Sequence, residues 1–247
     1  MKIIVCVKTT PPSEAQVRLE GGRVVFDNTP LVINPWDEYA VEAALQQKEA
    51  CGGTVTAISI GDESANVALK HALAMGADDA MRICDPALSS LDTLAAARLL
   101  AAAIRKMGGV DLACFGRQAI DGDSGVTAAQ AARLLGWPAL TLASAVKIDG
   151  TRIRVERSTE EGRQIVAADL PAILSVVKDF AAPRYPTFMG KRKADKAEIP
   201  VWTLADLGIP APAAVVAWEG FAEPPRRVVQ CERITGASPE EIAENRA

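Results

Sequence analysis

The chain holds one histidine, His71, among its 247 residues. That lone imidazole sits inside a helical pattern, without a serine or carboxylate partner placed for it. General-base catalysis through histidine and Ser–His–Asp chemistry are therefore excluded as leading readings. Cysteine is sparse too. Cys6, Cys51, Cys84, Cys114 and Cys231 are scattered, with no CxxC pair and no metal-ligand spacing. Three of them fall in apolar strand-like runs, where a free thiol behaves as a small hydrophobe. An odd, dispersed set fits a reducing cytoplasm better than a disulfide framework, so a cytoplasmic location is expected. No apolar run approaches the ~18 residues of a membrane span. The apolar start, Met1 to Val7, is followed at once by Lys8 and Pro11-Pro12 and reads as a first core strand, not a signal peptide. Basic excess is also missing: 27 Lys and Arg stand against 31 Asp and Glu, a net charge of −4, which does not ask for nucleic acid or an anionic membrane as a partner. There is no Walker-type GxxxxGK[ST], no internal repeat and no low-complexity tract. Asp121 and Asp123 could in principle hold Mg²⁺, but an ATP-hydrolysing or adenylating enzyme would also need the phosphate-binding lysine loop.

What is present is apolar residue in quantity, 49% of the chain, in an alternating order of short runs and longer amphipathic stretches. Strands are expected at 2–7, 54–60, 79–84, 110–115 and 139–142. Helices are expected from Pro35 to Cys51, Ser64 to Met75, about Asp92 to Met107, and Ala128 to Leu135. Glycines close the helices at Gly52-Gly53, Gly76, Gly108-Gly109 and Gly136. Asn34 reads as an N-cap with Pro35 at the first helical position and Asp37 and Glu38 in the first turn; Ser89-Ser90 with Asp92 mark another helix start. Strands alternating with helices of this length mean βα units, right-handed crossovers and a parallel sheet. Val17–Leu19 and Arg23–Phe26 around Gly21-Gly22 predict a small hairpin. Val146–Ile148 and Arg152–Glu156 around Asp149-Gly150 predict another. With the runs 163–168 and 172–177, the latter reads as an antiparallel extension of the same sheet. Beyond Phe180 the chain carries prolines at 183, 186, 200, 210, 212, 224 and 225 and little periodicity. The expectation is an α/β domain over 1–180 and an extended recognition loop and partner-wrapping arm over 181–247.

The segment from Phe115 to Gln130 is the centre of the pattern: strand, glycine-bearing loop, helix. A loop at the carboxyl end of a parallel strand is where open α/β sheets bind ligands, and free N–H groups at a helix start suit an anion. Asp121 and Asp123 can cap the turn or take a ribose hydroxyl, with Ser124 and Thr127 beside them. Spacing alone leaves a nucleotide cradle and an ordinary capped loop both open. Further on, Arg184-Tyr-Pro-Thr-Phe188 sets two aromatics beside the basic run Lys191-Arg-Lys193 and Lys196, an arrangement typical of a contact patch.

Four separated motifs give the chain a resemblance to the β subunit of electron transfer flavoproteins. They are Val5-Cys-Val-Lys8, Ile33-Asn-Pro-Trp-Asp-Glu-Tyr-Ala-Val-Glu-Ala-Ala-Leu45, Gly116-Arg-Gln-Ala-Ile-Asp-Gly-Asp123, and Leu170-Pro-Ala-Ile-Leu-Ser-Val with Pro183-Arg-Tyr-Pro-Thr-Phe-Met-Gly190. The resemblance runs nearly end to end. It implies a Rossmann-like fold of the adenine nucleotide α-hydrolase type. It also implies a heterodimer with an α subunit that holds the redox FAD, and AMP or a second FAD in this subunit. The pocket residues carried over by position are Val7, Lys8, Asn34, Asp121, Gly122, Asp123, Ser124, Gly125, Val126 and Thr127; Arg184, Tyr185, Phe188 and Lys191 fall in the dehydrogenase-docking segment. The resemblance further implies electrons arriving from acyl-CoA or other dehydrogenases and leaving to a quinone oxidoreductase or another acceptor, with no acid–base catalyst in the chain itself. Phe188 stands where the family has a leucine, and Val126 where many members have glutamine. A non-redox adenine-nucleotide-binding regulatory protein of the same fold is the alternative.

Overall fold

The structure is a computed structural model; it describes residues 1–26, 29–88, 91–223, 225 and 233–244. Ser89, Ser90, Pro224 and Cys231 lie outside the described residues. In chain order the strands are β1 (Lys2–Cys6), β2 (Thr9–Thr10), β3 (Val17–Glu20), β4 (Arg23–Phe26) and β5 (Val32–Ile33). The first helix, α1 (Pro35–Cys51), follows, then β6 (Thr54–Ile60), a single 3₁₀ turn, α2 (Asn66–Met75), β7 (Asp79–Ile83), α3 (Thr93–Met107), β8 (Leu112–Gly116) and α4 (Thr127–Leu135). Four strands come next, β9 (Ala139–Asp149), β10 (Arg152–Thr159), β11 (Gly162–Asp169) and β12 (Ala172–Val176). The remaining elements are α5 (Phe188–Asp195), β13 (Val201–Trp202), α6 (Leu204–Leu207) and α7 (Pro239–Glu244).

Nine strands form one sheet in the order β11-β10-β9-β12-β8-β1-β6-β7-β13. From β12 to β13 every neighbouring pair is parallel. Helices α1 and α2 cover one face and α3 and α4 the other. Ile3 and Val5 point into the α1–α2 core with Ala44, Leu69 and Leu112, while Ile4 and Cys6 point into the α3–α4 core with Leu99, Ile104 and Ala131. Burial on both faces is why these strands read as unbroken apolar runs, not as alternations.

Two features of the sheet depart from the sequence reading. The run expected as an isolated strand at 139–142 continues as one strand to Asp149. Its first half pairs parallel with β12 and its second half antiparallel with β10, around a bend where Leu142 takes a φ of 61°. The 172–177 run, expected in the antiparallel extension, is instead β12, a fully buried parallel strand between β8 and β9. The extension itself is β9, β10 and β11, closed by the Gly150-Thr151 turn that the Asp-Gly signal marks.

The tail expected to be weakly structured beyond Phe180 carries short elements, α5, β13 and α6, that lack periodicity of their own. Contacts divide the chain not at 180 but into a unit of Met1–Val17 with Phe26–Trp218 and a second of Arg18–Val25 with Glu219–Ala247. In the first unit β13 adds to the β7 edge, and Leu204 and Leu207 of α6 bury against α3 and its neighbours. Asp92 caps α3 through the N–H of Ala95 and also accepts the N–H groups of Val215 and Val216, which holds the segment after α6 to the helix start. The second unit contains the hairpin turn between β3 and β4, and α7, whose start is fixed by Glu241 N–H donating to Ser238 Oγ at 3.3 Å and Ala237 N–H donating to Glu241 at 2.7 Å.

Helix α5 packs on α2 at Gly190, where a Cβ would lie 2.4 Å from the carbonyl oxygen of Ala74. A backbone carbonyl in a helix cannot swing away as a long side chain can. Gly190→Ala is expected to destabilise the protein by about 1–3 kcal/mol through overpacking, lowering the midpoint of thermal unfolding by several degrees; a melting curve beside the wild type checks it.

Candidate functional site

Strand order reverses between the parallel neighbours β1 and β8. The loop after β1 leads to α1 on one face, and the loop after β8 leads to α4 on the other, so a crevice opens outside their carboxyl ends. That is the topological switch point of an open α/β sheet.

Asn34 and Asp37, at the start of α1, hold the floor of the crevice. Asn34 is wholly buried and does not cap α1 with its side chain. It reaches across to the β8 loop instead: Nδ2 donates to the Gln118 carbonyl at 2.9 Å, and Oδ1 accepts the Ile120 N–H at 3.1 Å. Asp37 accepts the N–H of Lys8 at 2.8 Å and touches the end of β8, where any Cβ on Gly116 would lie 2.4 Å from its Oδ1. Burial pushes the Asp37 carboxyl up from 3.8 to about 7, against the opposing pull of Asn34 and of the Lys8 and Gly116 N–H groups. The rim closes where Lys8 Nζ meets Asp121 Oδ2 at 2.6 Å, a half-exposed pair that orients the two loops and adds little stability.

The remaining pocket residues lie along the β8 loop, exposed from Asp121 to Val126. Asp123, at a φ of 50°, accepts from Gln118 Nε2 at 2.6 Å. Gly125 takes a φ of 64°, and a Cβ on Gly122 would meet nothing within 4 Å. Neither aspartate caps α4. Its N-cap is Val126, with no side-chain hydrogen bond to the first turn, so the N–H groups around Thr127 are left for another acceptor. Val7 contributes backbone only, its side chain buried in the α1–α2 core and its N–H bonded to the Ile58 carbonyl at 2.9 Å. The arrangement offers an anion a helix start, a nearby lysine and a loop with polar side chains. A cavity lies elsewhere. About 430 Å³ opens beside α1 and α2, between Pro12, Ile33, Glu38, Val67 and His71, with His71 paired to Glu38 at 2.9 Å.

The docking candidates separate by role. Tyr185 is 94% exposed, Phe188 79% and Met189 69%. Lys191 lies on the first turns of α5, along a groove with Lys70, Pro186 and Asp195. Arg184 is turned inward, bonded to Glu42 and Glu49 of α1.

Comparison with known proteins bears on this geometry. The electron transfer flavoprotein domain matches residues 22–207. The chain belongs to the electron transfer flavoprotein family. Among its relatives is the electron transfer flavoprotein subunit beta of Thermoanaerobacterium thermosaccharolyticum, 39% identical over 85% of this chain and 81% of that one. The corresponding subunit of Megasphaera elsdenii is 38% identical over 92% of this chain and 86% of its own. Subunit CarD of the caffeyl-CoA reductase-Etf complex of Acetobacterium woodii is 34% identical over 98% and 95%. The α/β fold with its mostly parallel sheet is that of the family, and no described helix is long and apolar enough to cross a membrane.

In and around the crevice and the Arg184 segment, sequence reasoning passed over Asp37, Gly116, Gln118 and Glu42. Asp37 stands at the position where an acid in a first helical turn ordinarily serves the helix dipole or a capping box. The only local signal was its place in the Asn-Pro-Trp-Asp motif, one residue class too general to reveal a buried carboxylate. Because its folded pKa is raised, Asp37 favours folding below pH 3.8, and that contribution is lost as pH rises to about 7. Asp37→Asn removes this dependence. The stability difference between wild type and Asp37→Asn is therefore expected to shift against the wild type between pH 4 and 8, by up to about 4 kcal/mol at about 1.4 kcal/mol per pK unit. Urea unfolding of both proteins across that range measures it.

Proposed function

We propose that this chain is the nucleotide-holding, partner-docking subunit of a heterodimeric electron carrier, with a redox FAD held at or shared with an α subunit. The β-subunit relatives support the heterodimer, and the convergence of the Lys8 loop, Asn34 and the uncapped start of α4 at the switch point is the observation that carries the nucleotide site. An adenine nucleotide fits that crevice. Backbone N–H groups from Gly125 to Ala128 would take a phosphate, aided by Lys8, and Asp121, Asp123, Ser124 and Thr127 offer partners for ribose hydroxyls. Val126 in place of glutamine leaves those backbone donors untouched. The ligand is AMP or a second FAD. A bound flavin supplies the electron-carrying chemistry; this chain's own residues bind, orient and dock, and no side chain has to move a proton. The chain is thus a carrier subunit and not an enzyme in its own right.

Electrons would arrive from dehydrogenases of the acyl-CoA class or others and leave to a quinone oxidoreductase or another acceptor. The name of the Acetobacterium relative, a subunit of a caffeyl-CoA reductase-Etf complex, supports an enzyme acting on a CoA thioester among the partners. Tyr185, Phe188 and Met189 form the apolar anchor for that docking, and a larger Phe188 suits a partner pocket wider than leucine fills. The 181–247 stretch would also supply the arm that contacts the α subunit, and Val215, Val216 and Trp218 are exposed on it.

The heterodimer, denatured after purification, should release one FAD together with one AMP, or two FAD. The first result removes the second flavin, the second removes AMP, and release of no adenine nucleotide beyond the α subunit's FAD overturns the crevice assignment. Phe188→Ala is expected to slow reduction by a cognate dehydrogenase by roughly tenfold or more, the scale of a lost anchor, with flavin content unchanged. Equal rates in stopped-flow mixing would remove the anchor.

A further inference from the structure

Arg184 sits one residue before the exposed docking aromatics, where a basic side chain would ordinarily be counted as a contact for an acidic partner. Its geometry argues otherwise. Nε donates to Glu42 Oε2 at 2.8 Å and Nη2 to Glu42 Oε1 at 3.0 Å. Nη1 donates to Glu49 Oε1 at 2.6 Å, Nη2 also reaches Glu49 Oε2 at 3.2 Å, and the backbone N–H of Arg184 donates to Glu42 Oε2 at 3.1 Å. The planar fork is thus occupied inside the chain. Glu42 and Glu49 stand seven residues apart, two turns along one face of α1, and Gln46 between them donates to Glu42 at 2.9 Å. Glu42 is almost wholly buried. A buried carboxylate must be paired, and Arg184 supplies the charge. The guanidinium holds both carboxyls below their usual range, and the two carboxyls push Arg184 above its own.

The segment is fastened a second time at its other end. Thr187 caps α5 by accepting the Gly190 N–H at 2.9 Å, and Gly190 lies against the Ala74 carbonyl of α2. Tyr185, Phe188 and Met189 stand exposed between or beside these two fastenings.

We propose that Arg184 is a positioning residue, not a partner contact: its fork onto Glu42 and Glu49 sets the docking aromatics at a fixed place relative to α1, the helix whose start carries Asn34 and Asp37. The inference rests on the docking reading given above for its functional half, and on the fork alone for its structural half. Lysine keeps the charge at 184 but cannot bind two carboxylates in one plane, so Arg184→Lys separates positioning from attraction. Glu42→Gln weakens the same fork from the other side without touching any residue that faces a partner.

Hydrogen–deuterium exchange on the purified heterodimer tests the structural half. Arg184→Lys and Glu42→Gln are each expected to raise exchange across residues 185–196 by on the order of tenfold, as expected for opening a locally held segment, with residues 2–6 and 54–60 unchanged. The double variant should exceed neither single by much, since both break one unit. Unchanged exchange in both singles, or effects that add, overturns the fork as a positioning device. If either variant fails to assemble, Glu49→Gln, at the more exposed carboxylate, carries the same expectation in milder form. An acyl-CoA dehydrogenase with its substrate as electron donor tests the functional half: KM for the dehydrogenase should rise at constant kcat and constant flavin content. A raised exchange rate with unaltered KM would overturn that half. Failure of Phe188→Ala to slow transfer would remove the docking reading and leave the exchange result standing.

Discussion

A carboxylate with almost no access to water stands where three parts of the chain meet. Asp37 is buried at the first turn of α1, takes the N–H of Lys8 at the end of β1, and leaves room for the end of β8 only because residue 116 has no side chain. Ionising such a group in the interior is costly, which its raised pKa of about 7 records. Removing it would leave the Lys8 N–H without its acceptor, and an unmet buried donor costs about 1–3 kcal/mol. The chain therefore keeps a group that is unfavourable to ionise and unfavourable to lose. What it obtains is geometric: the loops after β1 and β8 leave the sheet in opposite directions from positions held by one helix start. Asn34 repeats the device one turn earlier with an amide in place of an acid. The loop from Asp121 to Val126 can then be open and polar, because nothing in it has to hold the fold together.

How much of this was legible in the sequence depends on the range over which the cause acts. Parallel strands buried on both faces write themselves as short apolar runs, and glycines that end helices do so through their own backbone, so most elements of the sheet and its four covering helices could be read locally. The Asp149-Gly150 hairpin is equally local. Strand order is not. Nothing in Ala-Ile-Leu-Ser-Val176 says that a strand late in the chain slots between β8 and β9, because that place is set by which backbone edges remain unpaired after the βα units have closed. Nor can the sequence show that Ala139 to Asp149 is one bent strand, since Leu142 at positive φ is held there by neighbours on both sides. Residues 181–218 looked structureless for a related reason. Elements of two to eight residues have no period to display and are held by tertiary contacts alone, as β13 is by β7 and α5 by α2.

The site divides along the same line. Lys8, Asp121 and the helix start at Thr127 could be placed from the strand–loop–helix pattern and from the motifs. Asn34 stands at the helix start as its residue type suggests, but its side chain acts elsewhere. A residue typical of an N-cap spans to a neighbouring loop while the backbone alone starts the helix. Arg184 shows the converse. Its position before exposed aromatics suggests a partner contact, and only the two carboxylates seven residues apart on a distant helix reveal where its charge goes. A pairing between residues 142 apart in the chain is invisible to any local reading.

Helix α1 is the element that these observations have in common. Its start holds the crevice loops through Asn34 and Asp37; its middle holds Arg184 through Glu42, and its last turns through Glu49. A helix rises 1.5 Å per residue, so Asp37 and Glu49 are separated by about 18 Å of rigid rod. Under the proposed function, in which the chain does no bond chemistry of its own, relative placement is the main thing the protein contributes, since electron transfer would depend on how closely a docked partner brings its cofactor to the flavin. A single helix that fixes both the proposed nucleotide crevice and the proposed docking segment is a direct way to hold that distance. It also explains why charged groups are tolerated along its buried side. Apolar side chains would bury at lower cost, but they would let the segment slide, whereas a fork across two carboxylates admits one register.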